Sequence, residues 1–129
     1  MENFFEKYHE ALYNCTKPYQ YVGGEFLSYN KDFGSAKIRY AFCFPDKYEI
    51  GISNLGVRVL YGLINEQKDY MCDRVYAPEP DFKPEILYGV ESRKPVKDFD
   101  AVGFSLVIKI TACVKPRFGG YIHGYEQNA

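Results

Sequence analysis

The sequence predicts an α/β domain, built on an open parallel sheet and preceded by an N-terminal helix. Two observations lead to this fold class. Strand-like apolar runs alternate with segments of helical periodicity along the chain. The run at residues 40–44, Tyr-Ala-Phe-Cys-Phe, is continuously apolar, as is typical of a parallel strand covered on both faces.

The first predicted element is a helix over residues 3–14. Phe4, Tyr8 and Leu12 recur at helical spacing and form one apolar stripe. Pro18 follows shortly after, and the residue before a proline is biased away from the helical conformation. The helix is therefore expected to end before the Thr16-Lys17-Pro18 segment.

The next pair of elements is a strand over Ala36–Phe44 and a helix that runs to about Gln67. Pro45-Asp46 is expected to stop the strand. After a loop through Gly51, either Ser53 or Asn54 can cap the helix. The apolar face of this helix consists of Leu55, Val59, Leu60, Leu63 and Ile64.

Two further strands are predicted, over Tyr70–Tyr76 and over Ala101–Ile110. The segment Glu85–Val90 is ambiguous between a helix end and a short strand. Residues 107–129 differ from the rest, because they offer no helical stripe where a crossover helix is expected. The chain thus divides into a lead-in at 1–35, an incomplete sheet domain at 36–106 and a divergent tail at 107–129.

Composition excludes several classes of protein. The 129 residues are 47% hydrophobic and 26% charged, so most of the chain is expected to fold. The net charge of −1 argues against a dedicated nucleic-acid binder. No apolar run approaches the roughly 20 residues of a membrane span, so no membrane association is expected. The charged start is unlike a signal peptide, and we expect a cytoplasmic protein.

The four cysteines, Cys15, Cys43, Cys72 and Cys113, lie far apart in the sequence. They form neither CxxC nor CxxxCxxC, so the ligand spacing of zinc and iron–sulfur sites is absent. In apolar runs such as those around Cys43 and Cys72, a free cysteine acts as a small buried hydrophobic residue. We therefore expect reduced thiols and no metal site.

The segment from Phe44 to Gly56 joins the end of a buried strand to the start of a helix. Ligands of open α/β sheets bind at this edge, and a helix N-terminus favours an anion. Two glycines in the segment could let a phosphate approach closely. The segment is neither GxGxxG nor a P-loop, so a long loop with a Ser cap is the alternative.

Catalytic interpretations of the same region are weaker. Asp46 and Glu49 could form an acid–base pair, but a solvated loop is the favoured interpretation, because no histidine or second apolar wall accompanies them. Ser105 lies in Gly-Phe-Ser-Leu, which lacks the GxSxG pattern of a hydrolase nucleophile. The charged stretch at residues 91–94 is expected to be a solvated connection. We expect no catalysis by this chain alone.

Several segments resemble the N-terminal region of a family of radical SAM proteins of the B12-binding type. They are KPYQYVGGEF (17–26), IRYAFCFPDKYEIGISNLGVRVLYGLINE (38–66), RVYAPEPD (74–81) and LYGVESRKPVKDFDAVGFSL (87–106). The resemblance covers about residues 17–106 and ends after Leu106. It implies a Rossmann-like, cobalamin-binding-type domain, followed in the family by a barrel that holds a 4Fe–4S cluster and cleaves S-adenosylmethionine.

The resemblance implies cobalamin as the candidate cofactor of this domain, whereas the cluster and S-adenosylmethionine belong to the full-length family. The chain has no CxxxCxxC and no DxHxxG, so it lacks both the cluster ligands and the usual cobalt-ligating histidine; His123 lies in a different context. Carried over residue by residue, the candidate positions for binding a corrinoid or a nucleotide-like ligand are Pro45, Asp46, Tyr48, Ser53, Asn54, Gly56 and Ser105.

The leading hypothesis is a truncated or split N-terminal domain that binds such a ligand or docks on a radical SAM barrel. A frameshift after Leu106 would explain the tail. A sheet of about three strands also exposes an edge, which favours self-association. The alternative is an independent α/β interaction module without a cofactor, in which the tail adds a further strand.

Overall fold

The computed structural model describes residues 3–105 and the backbone of residues 110–114. Its centre is one four-stranded sheet with the order β2-β1-β3-β4. Strands β1, β2 and β3 run parallel, and β4 runs antiparallel to β3. The α/β class and the open parallel sheet are therefore confirmed. The elements are α1 (Phe4–Asn14), β1 (Ile38–Lys47), α2 (Tyr48–Ile52), α3 (Leu55–Glu66), β2 (Tyr70–Ala77), β3 (Ala101–Ser105) and β4 (Ile110–Val114).

Strand β1 lies in the middle of the sheet and is covered on both faces, as its apolar run predicts. Ala41, Phe42, Cys43 and Phe44 are all at most 4% exposed. The strand does not stop at Pro45. A bulge between Phe44 and Lys47 takes Pro45 out of the ladder with β2, so the missing N–H of the proline breaks no pairing there.

The helices begin and end close to the predicted positions. The predicted apolar face of α3 is wrong, however, because Leu55, Val59 and Leu63 are exposed and the helix packs on the sheet through the neighbouring face that carries Val57 and Tyr61. At α1, Asn3 and Glu6 form a reciprocal capping box that satisfies backbone N–H groups of the first turn. At α3, the cap is Asn54, whose side chain accepts from the Val57 N–H at 3.0 Å. The short helix α2 occupies the place where a loop is predicted, between β1 and α3.

The predicted third strand, Ala101–Ile110, is wrong in its extent. Strand β3 ends at Ser105, and Ile110 opens an antiparallel strand, with Ser105 paired to Ile110. A continuous apolar run cannot reveal such a reversal, because both strands favour the same residue types. Glu85–Val90 is neither helix nor strand, apart from a single bridge between Tyr88 and Pro95.

Three apolar clusters surround the sheet. One packs α3 on a face of β1 and β2, with Phe42, Phe44 and Tyr61 among its members. The second covers the opposite face without an α-helix, through Phe99, the half-buried Phe33 and Val96 of a short 3-10 helix at Val96–Asp98. The third packs α1 on Phe82. This third cluster contains no residue of the sheet, and the lead-in reaches the two sheet clusters through the half-buried Tyr29 and Phe33.

Among the described helices, none is long and apolar enough to cross a membrane. Within the tail, Ile110–Val114 forms strand β4, whereas His123 and the break after Leu106 lie outside the described residues.

Candidate functional site

The strand order creates a switch point at the carboxyl edge of the sheet. The chain leaves β1 for β2 on one side, and β3 pairs with β1 on the other. In doubly wound sheets, ligands bind where neighbouring strands lead in opposite directions. The segment after β1 and the end of β3 are therefore the places where the candidate residues must be located.

Pro45 and Asp46 form the bulge at the end of β1. Pro45 is exposed, and the Asp46 carboxylate accepts the Lys47 backbone N–H at 2.8 Å. Glu49 is exposed and accepts from Lys17 and Tyr19, each at 2.8 Å. The bond from Lys17 lowers the pKa of Glu49, which keeps it ionised as an ion-pair partner.

Tyr48 is buried and belongs to the core that α3 covers. Its ring packs edge-on against Tyr76, with centroids 5.3 Å apart. Burial, with Glu25 nearby, raises the pKa of Tyr48, so its hydroxyl stays protonated. Tyr48 thus faces the interior of the domain.

Ser53, Asn54 and Gly56 build the junction between α2 and α3. The Ser53 hydroxyl donates to the Glu49 carbonyl at 3.1 Å, and the Asn54 side chain caps α3. A side chain at position 56 would approach the Asn54 amide oxygen to 3.3 Å. The Asn54 side chain already accepts one N–H of the first turn of α3, so one of the donors that an anion would use at this helix N-terminus is occupied. Ser105, the last residue of β3, is half-buried.

An open apolar groove of about 360 Å³ lies at the carboxyl edge. The groove is lined from β1 by Phe44 and Pro45, from β3 by Phe104, and from the chain between β2 and β3 by Leu87 and Val96. Of the seven candidate residues, Pro45 alone is in this lining. The groove suits an apolar surface better than a phosphate.

A buried charge cluster was missed by sequence reasoning. Arg74 on β2 is buried and contacts two carboxylates, Glu25 at 2.8 Å and Glu91 at 2.7 Å. The Tyr61 ring lies 4.4 Å from its guanidinium carbon, which adds a cation–π contact. The sequence feature that could have indicated this cluster is the charged pair Asp73-Arg74 inside an otherwise apolar strand. A charge in a buried strand requires partners of opposite charge or hydrogen bonds.

Asp73 completes this cluster on the neighbouring position of β2. Its carboxylate accepts the backbone N–H groups of Glu91 and Ser92, at 3.0 and 2.8 Å. Gly89 passes so close to the Asp73 carboxylate that no Cβ fits there. The expected solvated connection at residues 91–94 is therefore wrong for Glu91 and Ser92, which are fixed to the sheet.

The protonation of the cluster follows from its burial. Desolvation raises the pKa of Glu91, and the positive charge of Arg74 opposes this rise. Arg74 thus holds together two chain segments that are remote in sequence, one containing Glu25 and one containing Glu91. The arrangement positions loops around the sheet.

The described residues fit neither an iron–sulfur cluster nor an enclosed, His-ligated corrinoid. Cys15, Cys43 and Cys72 are buried in three different clusters, so they cannot ligate one iron–sulfur cluster. The carboxyl-edge groove is near the lower limit of ligand pockets, roughly 300–1,000 Å³, and its lining contains no histidine. An enclosed, His-ligated corrinoid therefore does not fit this edge. No group of three or more metal-ligating side chains occurs within the described residues.

Comparison with known proteins gives one match. Residues 56–113 match the family described as radical SAM proteins, N-terminal, which is a little under half of the chain. The matched segment includes β2, β3 and the Asp73–Arg74 pair, and among the candidate residues Gly56 and Ser105. It runs past Leu106, where the sequence resemblance was expected to end. No curated protein matches, and no solved structure matches. The chain is therefore similar to the N-terminal region of radical SAM proteins.

Proposed function

We propose that this domain is a non-catalytic N-terminal module of a radical SAM protein and docks on the catalytic barrel through its carboxyl-edge groove. The observation that supports this is the groove itself: it is open, apolar and formed by the ends of three parallel strands. Pro45 and Leu87 are exposed in this groove and can contact apolar side chains of a partner. The barrel is the occupant we favour, because the matched residues form the N-terminal part of radical SAM proteins.

The test is to express the chain with a radical SAM barrel whose own N-terminal region has been removed, and to measure the complex by sedimentation velocity. Pro45→Asp places a charge on an exposed position of the groove, and we expect it to abolish the complex. Tyr13→Asp, at a residue of α1 that is 84% exposed in the native chain and outside the groove lining, is the matched control. Absence of a complex, or equal complexes with both variants, would contradict the proposal.

A corrinoid or nucleotide-like ligand at the same edge is the second candidate, favoured by the switch point between β1 and β3. Such a ligand would lie across the edge and contact Asp46, Ser53 and Gly56. Calorimetric titration with hydroxocobalamin, adenosylcobalamin and S-adenosylmethionine tests it. Binding should be weakened by Ser53→Pro or Gly56→Val; the absence of any heat would leave the segment with a structural role.

Self-association through a sheet edge is a further proposal. The outer side of β2 is covered in part, because the Val90 N–H donates to the Arg74 carbonyl at 2.9 Å and Lys31 bonds the Tyr70 carbonyl at 2.7 Å. The β4 side is then the edge available for pairing. A monomer at all concentrations in sedimentation equilibrium would exclude self-association and favour an independent module.

A further inference from the structure

Gln20 carries an unpaired amide in the interior of the domain. In the described part of the chain, the buried side-chain nitrogen and oxygen atoms without a partner belong to Gln20, Glu25, Arg74 and Tyr76. Gln20 differs from the others, because neither Nε2 nor Oε1 is bonded and the side chain is only 2% exposed. Buried polar groups are normally paired, so an amide with both atoms unbonded calls for a hydrogen-bonding group, a water molecule or part of a ligand, beside it.

Gln20 and Tyr76 line the same small cavity, of about 30 Å³. Its walls are largely aromatic and include Tyr21, Phe82 and Tyr88. The cavity lies beside the carboxyl-edge groove, since Leu87 and the end of β2 line both. A group held in this cavity therefore adjoins the edge at which open α/β sheets bind ligands.

The size and the polar atoms of the cavity define what it can hold. A cavity needs roughly 10–15 Å³ to hold one water molecule, so this one has room for about two groups of that size. The Gln20 amide offers a nitrogen with two N–H donors and an oxygen that accepts, and the Tyr76 hydroxyl can donate or accept. The nitrogen and oxygen of a carboxamide match both the space and the pairing.

The charge of the lining argues against ionic ligands. None of the described residues that line the cavity is an Asp, Glu, Lys, Arg or His. Burial raises the pKa of Tyr76 to about 12, which keeps the hydroxyl neutral at physiological pH. A carboxylate, a phosphate or an ammonium group would lose its hydration there without gaining an opposite charge.

We propose that the Gln20 cavity recognises the neutral carboxamide group of a small ligand, with the apolar body of the ligand lying toward the carboxyl-edge groove. Gln20 pairs with the ligand amide through its own donor and acceptor, and Tyr76 supplies a further hydrogen bond. Tyr76 and Leu87 line both the cavity and the groove, whereas Gln20 and Tyr21 line the cavity only, so the Gln20 amide is the part of this site that the docking proposal does not use.

The test uses benzamide as the probe and follows the side-chain amide resonances of Gln20 by NMR. Benzamide should shift these resonances, whereas benzoate, which is charged, and N,N-dimethylbenzamide, which cannot donate, should not. Gln20→Leu should weaken benzamide binding at least about tenfold, because the amide pairing is lost. Tyr76→Phe should weaken it in the same direction. Phe26→Ala, at a residue that is 92% exposed and outside the cavity lining, should leave it unchanged.

Several results would overturn the proposal. These are the absence of shifts at the solubility limit of benzamide, equal shifts with benzoate or dimethylbenzamide, and equal binding by Gln20→Leu. A crystal structure grown with benzamide that shows only ordered water on Gln20 would also overturn it. The comparison of the three ligands uses the unmodified chain, so the outcome stands even if a variant fails to fold.

Discussion

Replacing Arg74 by methionine should be among the most damaging single changes in this domain. Met preserves most of the volume of the side chain but removes the charge between Glu25 and Glu91. Both carboxylates are largely buried, with side chains 16% and 10% exposed. The variant therefore leaves two carboxylates in the interior without their shared cation.

The magnitude follows from the burial of these groups. Removing one partner of a buried ion pair costs about 3–5 kcal/mol, because the remaining charge stays desolvated. We expect Arg74→Met to lose about that much free energy of unfolding at pH 7. Replacing Glu25 and Glu91 by Gln in the same variant should restore part of the loss, since the uncompensated charges are then gone.

The loss should also depend on pH. Burial raises the pKa of Glu91 in the folded state above its ordinary value of 4.5. The free energy of unfolding therefore falls as the pH rises from 4.5 through the folded-state pKa, because Glu91 becomes ionised in the interior. Without Arg74 that pKa rises further. The difference between the variant and the native chain should therefore be largest at neutral pH and should shrink below about pH 5.

The assay is urea unfolding at pH 7 and at pH 4.5, followed by circular dichroism. Lys37→Met is the control, because it breaks an ion pair whose lysine is 74% exposed, and it should cause no measurable change. If Arg74→Met does not fold, Arg74→Lys keeps the charge and should retain part of the stability. A loss below about 1 kcal/mol, or one of equal size at both pH values, would refute the reasoning.

Three further predictions concern other parts of the fold. Asn65→Ala should cost about 1–3 kcal/mol in urea unfolding, because the buried Asn65 amide bonds both the N–H and the carbonyl of Cys72 and so fixes α3 to β2; an unchanged midpoint would contradict this. Asn54→Ala should lower the free energy of unfolding by about 1 kcal/mol, because the α3 cap is lost, whereas Asn54→Asp should keep most of the stability because Asp also caps a helix. Burial raises the pKa of Cys43 to about 12, so iodoacetamide at pH 8 should label it only at the rate of unfolding; rapid labelling in native buffer would show that the thiol is accessible.

Local sequence patterns determined most of the elements. The helices α1 and α3 have capping side chains and apolar stripes within their own segments, so their limits could be predicted to within one or two residues. The apolar run at residues 40–44 identified β1 as a buried central strand. The end of β1 was misplaced, because a bulge let the strand continue past Pro45 in a way that the sequence does not reveal.

Only the tertiary structure decided which polar residues meet. Glu25 and Glu91 lie 49 and 17 positions from Arg74 in the sequence, and no periodicity links them. They meet because the lead-in and the segment before β3 both pack on β2. The same folding brings Gln20 beside Tyr76. Spacing along the chain indicates which residues are neighbours in one helix or strand, whereas a buried charge or amide finds its hydrogen-bond partner on another element. The apolar core of this chain could therefore be predicted from the sequence, but the partners of its buried polar residues are known only from the tertiary structure.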